Sequence, residues 1–264
     1  MYCGSPAKTN EHIIATRFID VLREDPRQVT LPIVLYAALP SGQERRIPGK
    51  RLKRRRFTLE YTTRVCSRCN NEWMKRLEDA VIPVLKPMML GEGFTLNASA
   101  LAALAAWATK TALVFELVQQ DGATTASAAD RLWFKAHRSP LPGSRIWAAR
   151  YVGTLGKAWQ SRSMLMTYDL DDPSSVPSPH GLVVVLAYGQ VALRVAMVRS
   201  EPTLPARFAV TDDERAPTIW PTMGQLAWPP LTTLDDDGLV NFGAVHLPED
   251  GAGSLQHYGP PSHR

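Results

Sequence analysis

Three cysteines and one acid–histidine pair hold most of the chemistry that this sequence offers. Cys66 and Cys69 stand at C-x-x-C spacing in Cys66-Ser67-Arg68-Cys69, and Cys3 lies far upstream, followed by Gly4. Two thiolates at this spacing can face one Zn²⁺ from a tight turn, and the metal then replaces the core that a small module cannot build. Cys3 is the natural third ligand, because Gly4 relieves the turn behind it. Matching the two knuckles puts a fourth ligand three residues before Cys3, just upstream of Met1. The expectation is therefore an internal start, with the natural chain beginning earlier at a cysteine; mapping the true N-terminus checks it. The alternatives for Cys66 and Cys69 are a redox dithiol or two buried core thiols. A redox pair expects a βαβ setting that the flanking sequence lacks.

Between the cysteines lies a second chemical feature. Lys50, Arg51, Lys53, Arg54, Arg55 and Arg56 put six cations into seven residues, directly before Phe57. Such a run suits phosphate contact, and six phosphates met would give binding a slope of roughly −5 against log salt. A solvated loop or a targeting-like basic run is the plainer reading. No base-reading pattern accompanies it, so no sequence preference follows.

The surroundings of the cysteines carry a resemblance. Cys3-Gly4, then Glu11-His12-Ile13-Ile14, then Arg64-Val65-Cys66-Ser67-Arg68-Cys69-Asn70-Asn71-Glu72-Trp73-Met74 resembles HNH endonuclease-type proteins. More narrowly, it is similar to a bacterial group whose second knuckle reads Cys-x-x-Cys-Asn-Asn-Gly-Trp. The likeness covers about the first 80 residues. The stretches Leu85-Lys86-Pro87 and Trp107-Ala108-Thr109-Lys110-Thr111 are similar to that group's body, and no role follows from them.

The resemblance implies a zinc-stapled ββα-metal module in which His12 is the general base and Glu11 a ligand of the catalytic divalent metal. Asn70, which opens the helix after the second knuckle, would be the other ligand. A histidine titrating near neutrality suits proton abstraction from water, and a carboxylate with an amide oxygen suits Mg²⁺ or Mn²⁺. Tyr61 stands where the family's middle asparagine is usual, and Asn70 replaces the last histidine. The leading expectation is a metal-dependent endonuclease acting on DNA. The runner-up is a catalytically inactive HNH-derived zinc module that binds nucleic acid or protein. In a third reading the remainder of the chain carries the function, binding a small molecule or a protein, while the front only braces it.

Other candidates are weaker. Asp169, Asp171 and Asp172 with His180 could mimic an acidic metal site, but Pro173-Ser174-Ser175 makes that stretch a turn. Trp220-Pro221 and Trp228-Pro229-Pro230 read as packing devices. Neither a Gly-x-Ser-x-Gly motif nor a phosphate loop is present.

The elements that must position these groups follow from composition and periodicity. The chain has 264 residues, 45% hydrophobic and 21% charged, which is enough for a large globular domain or a small one joined to a larger. Of the net charge of +5, residues 1–80 hold 16 Lys+Arg against 9 Asp+Glu, leaving 14 against 16 for the rest. The basic front is thus the part suited to a polyanion. No leader-like N-terminus or uninterrupted apolar span of membrane length is seen. The expectation is a cytoplasmic, reducing setting, DNA as partner, no membrane, and a protein partner possible through the body.

Phe57 to Val65 alternates with period two and predicts a strand delivered to Cys66. Leu31–Tyr36 predicts an edge strand, and Thr16–Glu24 has helical spacing. Asn70–Asp79 predicts a helix that Pro83 and Pro87 interrupt, making residues 83–95 the seam between front and body. Ala98–Val118, apolar on nearly all sides, predicts a helix at the centre of the body, and Ala126–His137 a second. Strands are expected at Ile146–Val152, Met164–Asp169, Leu182–Val198 with a hairpin at Gly189, Phe208–Thr211 and Thr218–Trp220. The predicted class is α+β: a small zinc-knuckle module (1–82), a larger α+β body with a central buried helix and a mostly antiparallel sheet (83–248), and a loose tail (249–264).

Overall fold

Alternation before Cys66 yields a strand, and the strand finds its partner near the N-terminus. The computed structural model describes residues 6, 8–12, 18, 21–22, 35–38, 44–47, 62–118, 124–154, 158–167, 178–198, 213–221, 224–243 and 253–258. Strand β1 (Thr9–His12) pairs antiparallel with β4 (Thr62–Val65), Thr9 opposite Val65 and His12 opposite Thr62. Residues 57–61 lie outside the described residues. Between the two strands the chain forms the hairpin of β2 (Leu35–Ala38) and β3 (Glu44–Ile47). Phe18, Val21 and Leu22 are helical and buried, in keeping with their spacing.

From Cys66 the chain runs helically without a break through α1 (Ser67–Cys69), a π-helical turn (Asn70–Met74) and α2 (Lys75–Leu90). The expected interruption at Pro83 and Pro87 does not occur, because both prolines lie inside α2. Pro83 and Asp79, whose carbonyl it cannot bond, are on the exposed side. The opposite side buries Val81, Leu85, Met88 and Met89. A proline costs a helix interior about 3 kcal/mol, whereas burying one large apolar side chain contributes about 1.5–3 kcal/mol. Burial therefore wins, and α2 carries the chain past residue 83, where the seam was expected. Gly91, in the left-handed region at φ 75°, ends it.

Helix α3 (Ala98–Val118) lies at the centre, with every residue from Leu104 to Glu116 buried. By length and composition it could cross a membrane; here it packs against α2, β4 and the main sheet. Helix α4 (Ala128–His137) starts with a capping box, in which Ser127 and Asp130 satisfy each other's backbone N–H. Glu116 accepts hydrogen bonds from the backbone N–H groups of Thr125 and Ala126 and from Arg131, which also donates to the Leu113 carbonyl at 2.8 Å. These bonds fasten α4 to α3.

The main sheet contains β6 (Arg145–Tyr151), β7 (Ala158–Thr167), β8 (Ser178–Tyr188), β9 (Val191–Val198), β10 (Thr218–Trp220) and β13 (Gly253–Tyr258). Its order is β10-β6-β9-β8-β7-β13-β2-β3, antiparallel throughout, and β12 (Thr233–Leu234) joins β6 in parallel. Separately, β5 (Phe94–Leu96) pairs with β11 (Leu226–Trp228). One face of the main sheet packs against α3 through Ile146, Leu182, Val184, Leu186 and Leu193. The other buries Trp147, Val183 and Val185 with Leu239 and Phe242 of α5 (Asp236–Phe242). Covered on both faces, β8 and β9 read as continuous apolar runs rather than alternating ones. This mixed helix-and-sheet architecture is the expected α+β class. Trp228 is buried and Trp220 packs on the core, as the tryptophan–proline pairs suggested.

Two details of the sheet matter below. Gly189, at φ 57°, turns β8 into β9, and a Cβ there would lie 2.4 Å from the Met89 carbonyl oxygen. That carbonyl accepts the N–H of Gln190 at 2.9 Å, so the hairpin sits on the end of α2. The second detail corrects the expected loose tail: residues 253–258 form β13, paired with β7 from Arg162 to Thr167 and with β2 through Tyr258 and Leu35. The outer edge of β7 presents a row of backbone donors and acceptors, and β13 satisfies them. Residues 208–211 lie outside the described residues.

Candidate functional site

The β1–β4 pair leading into a helix places several of the sequence-predicted residues together. Thr9 Oγ1 donates to the Val65 carbonyl at 3.0 Å, locking the register next to Cys66. Asn70, at the start of the π-helical turn, reaches back to β1. Its Nδ2 donates to Thr9 Oγ1 and to the Asn10 carbonyl, each at 3.3 Å. The helix start is thereby tied to the strand that carries Glu11 and His12. Strand alternation puts Thr9 and Glu11 on one side of β1, Asn10 and His12 on the other. His12 is half-buried and Glu11 is 5% exposed.

Glu11 faces inward. Its Oε1 lies 2.8 Å from Nζ of Lys110, in the middle of α3, and Lys110 also donates to Glu78 Oε1 of α2 at 2.8 Å. The lysine side chain has no exposed surface. Three elements thus meet at one ammonium between two carboxylates. Burial pushes the Glu11 carboxyl above the ordinary carboxylate range, with Lys110 pulling the other way. Burial by itself would lower the Lys110 pKa, but the charges of Glu11 and Glu78 outweigh it and hold the ammonium above the usual lysine value. An unpaired charge at that depth would cost several kcal/mol, on the order of 3–5.

Cys66 caps α1: its Sγ accepts the N–H of Cys69 at 3.3 Å, and both cysteines are buried. Trp73 lies one turn on, with Phe134 of α4 edge-on at 5.8 Å and the Arg138 guanidinium 4.3 Å from its ring centroid. Arg138 follows the last residue of α4 and adopts the left-handed conformation at φ 56°.

Cys66 and Cys69 present two of the four donors a structural zinc takes, in the chemistry zinc prefers; Cys3 lies outside the described residues. The catalytic divalent metal fits less well. Glu11, the acid that would hold it, gives Oε1 to a lysine, whereas Asn70 uses only its amide nitrogen on β1 and keeps the oxygen that a divalent ion would take. Tyr61 and the cationic run Lys50, Arg51, Lys53, Arg54, Arg55 and Arg56 lie outside the described residues, as do Asp169, Asp171 and Asp172; His180 lies in β8.

Sequence reasoning missed Lys110 and Glu78. The signal was present: a lysine in a helix apolar on every side needs a buried counter-charge. It also missed Arg138, which nothing local distinguishes from an ordinary basic residue at a helix end. Comparison of the chain with protein-family models, with curated proteins and with solved structures finds no match in any of the three.

Proposed function

We propose that the front of this chain is an HNH-derived ββα module, stapled by zinc at Cys3, Cys66 and Cys69, that binds DNA without hydrolysing it. The observation that carries this reading is the Glu11–Lys110 contact at 2.8 Å. An acid buried against an ammonium is a poor partner for a divalent ion at a scissile phosphate, and releasing it would leave Lys110 in the core with Glu78 as its one counter-charge among the described residues. The antiparallel β1–β4 pair and the Asn70 tie support the ββα ancestry. The cationic run between those strands supplies the phosphate contacts, and a reducing, cytoplasmic setting keeps the thiols available to zinc.

Supercoiled plasmid incubated with the full chain in Mg²⁺ or Mn²⁺ tests the reading alongside a gel-shift assay on labelled duplex. The expected result is retarded DNA without nicks, about one zinc per chain by elemental analysis, and loss of that zinc in Cys66→Ser. Metal-dependent nicking that disappears in His12→Ala would overturn it in favour of the hydrolytic alternative, with His12 as base and Glu11 and Asn70 as ligands.

A further inference from the structure

Arg138 occupies an unfavourable conformation. The residue after a helix is commonly glycine in the left-handed region, because a side chain there meets its own backbone. Among the described residues Arg138 is the one non-glycine with positive φ. Its N–H closes the helix on the Phe134 carbonyl at 2.9 Å, a bond that glycine would make equally well. The arginine therefore serves something other than the turn.

Its surroundings point to an anion. The guanidinium lies over the Trp73 ring, 4.3 Å from its centroid; Nη1 is packed out of reach of water and of any ligand, which leaves Nε and Nη2 as the donors available to an anion. Arg76, exposed one turn after Trp73 on α2, is close enough for its charge to act against that of Arg138. Among the described residues neither guanidinium forms an ion pair, whereas the neighbouring cations Arg68 and Lys75 have Glu72 and Asp79. Two unneutralised guanidiniums, one of them stacked, match the planar, multidentate recognition of a phosphate.

We propose that Arg138 and Arg76 form a clamp for a nucleic-acid backbone phosphate beside the Cys66–Cys69 knuckle, so that the body's α4 contributes to the DNA contact. This rests on the DNA-binding reading above and extends it to a surface outside the cationic run.

The test uses the full chain, a fluorescein-labelled duplex of mixed sequence, and anisotropy titrations across a salt series. Arg138→Gly gives the left-handed position a residue that adopts it freely, so the thermal midpoint holds or rises while affinity at low salt falls about three- to tenfold. The slope of log K against log salt becomes shallower by about 1 in Arg138→Gly, by about 1 in Arg76→Ala, and by about 2 in the double variant. Lys86→Ala, an exposed cation farther along α2, keeps the parent slope. If Arg138→Gly melts lower than the parent, Arg76→Ala carries the test alone. Parent-like slopes in both variants, with the unmodified chain still binding, overturn the clamp and leave the DNA-binding reading standing. No binding by the unmodified chain at low salt overturns both.

Discussion

Lys110 Nζ and Glu11 Oε1 lie 2.8 Å apart although 99 residues separate them in sequence. The contact joins the first described strand to the central helix, and Glu78 completes it from α2 at the same distance. Lys110→Met leaves two carboxylates facing each other in the core. The expected loss is about 3–5 kcal/mol in urea-melt stability. Glu11→Gln combined with Lys110→Met removes one charge of each sign and recovers part of that loss. A double variant no more stable than Lys110→Met would show that the three groups do not act as one unit.

The same trio sets a pH dependence. The folded-state pKa of Glu11 is raised above its ordinary 4.5, so the folded chain takes up this proton before the unfolded chain does. Its contribution is fully present below the unfolded value and is lost as pH rises through the folded one. Between pH 7 and pH 4.5 the wild type should therefore gain stability relative to Glu11→Gln. Paired urea melts across that range check the sign, and a difference that stays flat or runs the other way would contradict it.

Arg131 and Glu116 form a second buried ion pair, supported by the backbone of Thr125, Ala126 and Leu113. Arg131→Met strands Glu116 and should cost about 3–5 kcal/mol. Ser127→Ala removes only the cap of α4 and should cost about 1 kcal/mol. Thermal melts of the two variants separate these magnitudes readily.

Gly189 combines positive φ with contact to a backbone atom rather than a movable side chain. Gly189→Ala should cost about 3 kcal/mol, from the left-handed conformation and the displaced α2 end together. Gly93→Ala, whose added Cβ would meet only the Trp228 carbonyl oxygen at 3.8 Å, should change little. Similar losses at both positions would rule out the steric explanation.

Much of the body was legible because its elements are long and uniform. α3 is apolar on all sides and lies at the centre, and the Gly189 break is the hairpin turn predicted from Leu182–Val198. The Pro83 and Pro87 interruption failed because proline reports a local cost, whereas helix survival depends on what the opposite side buries. β13 was missed for a similar reason: a Gly- and Ser-containing stretch has weak strand preference of its own, and the open edge of β7 decides its state. At the candidate site, the strand before Cys66 was read from its alternation, whereas its partner, Thr9–His12, has no strand signal of its own and was not read from the sequence. Nor was the side to which Glu11 turns, since it depends on a lysine 99 residues away.

The strand order gives the chain an unusual assembly schedule. Among the described residues the β2–β3 hairpin, made early in synthesis, meets the main sheet through β13 alone, which emerges more than two hundred residues later. On a ribosome the hairpin must wait for its neighbour, holding an unsatisfied rim for most of translation. Chaperone dependence during production should therefore centre on residues 35–47, and supplying the 253–258 segment in trans as a peptide offers a way to seat that hairpin early.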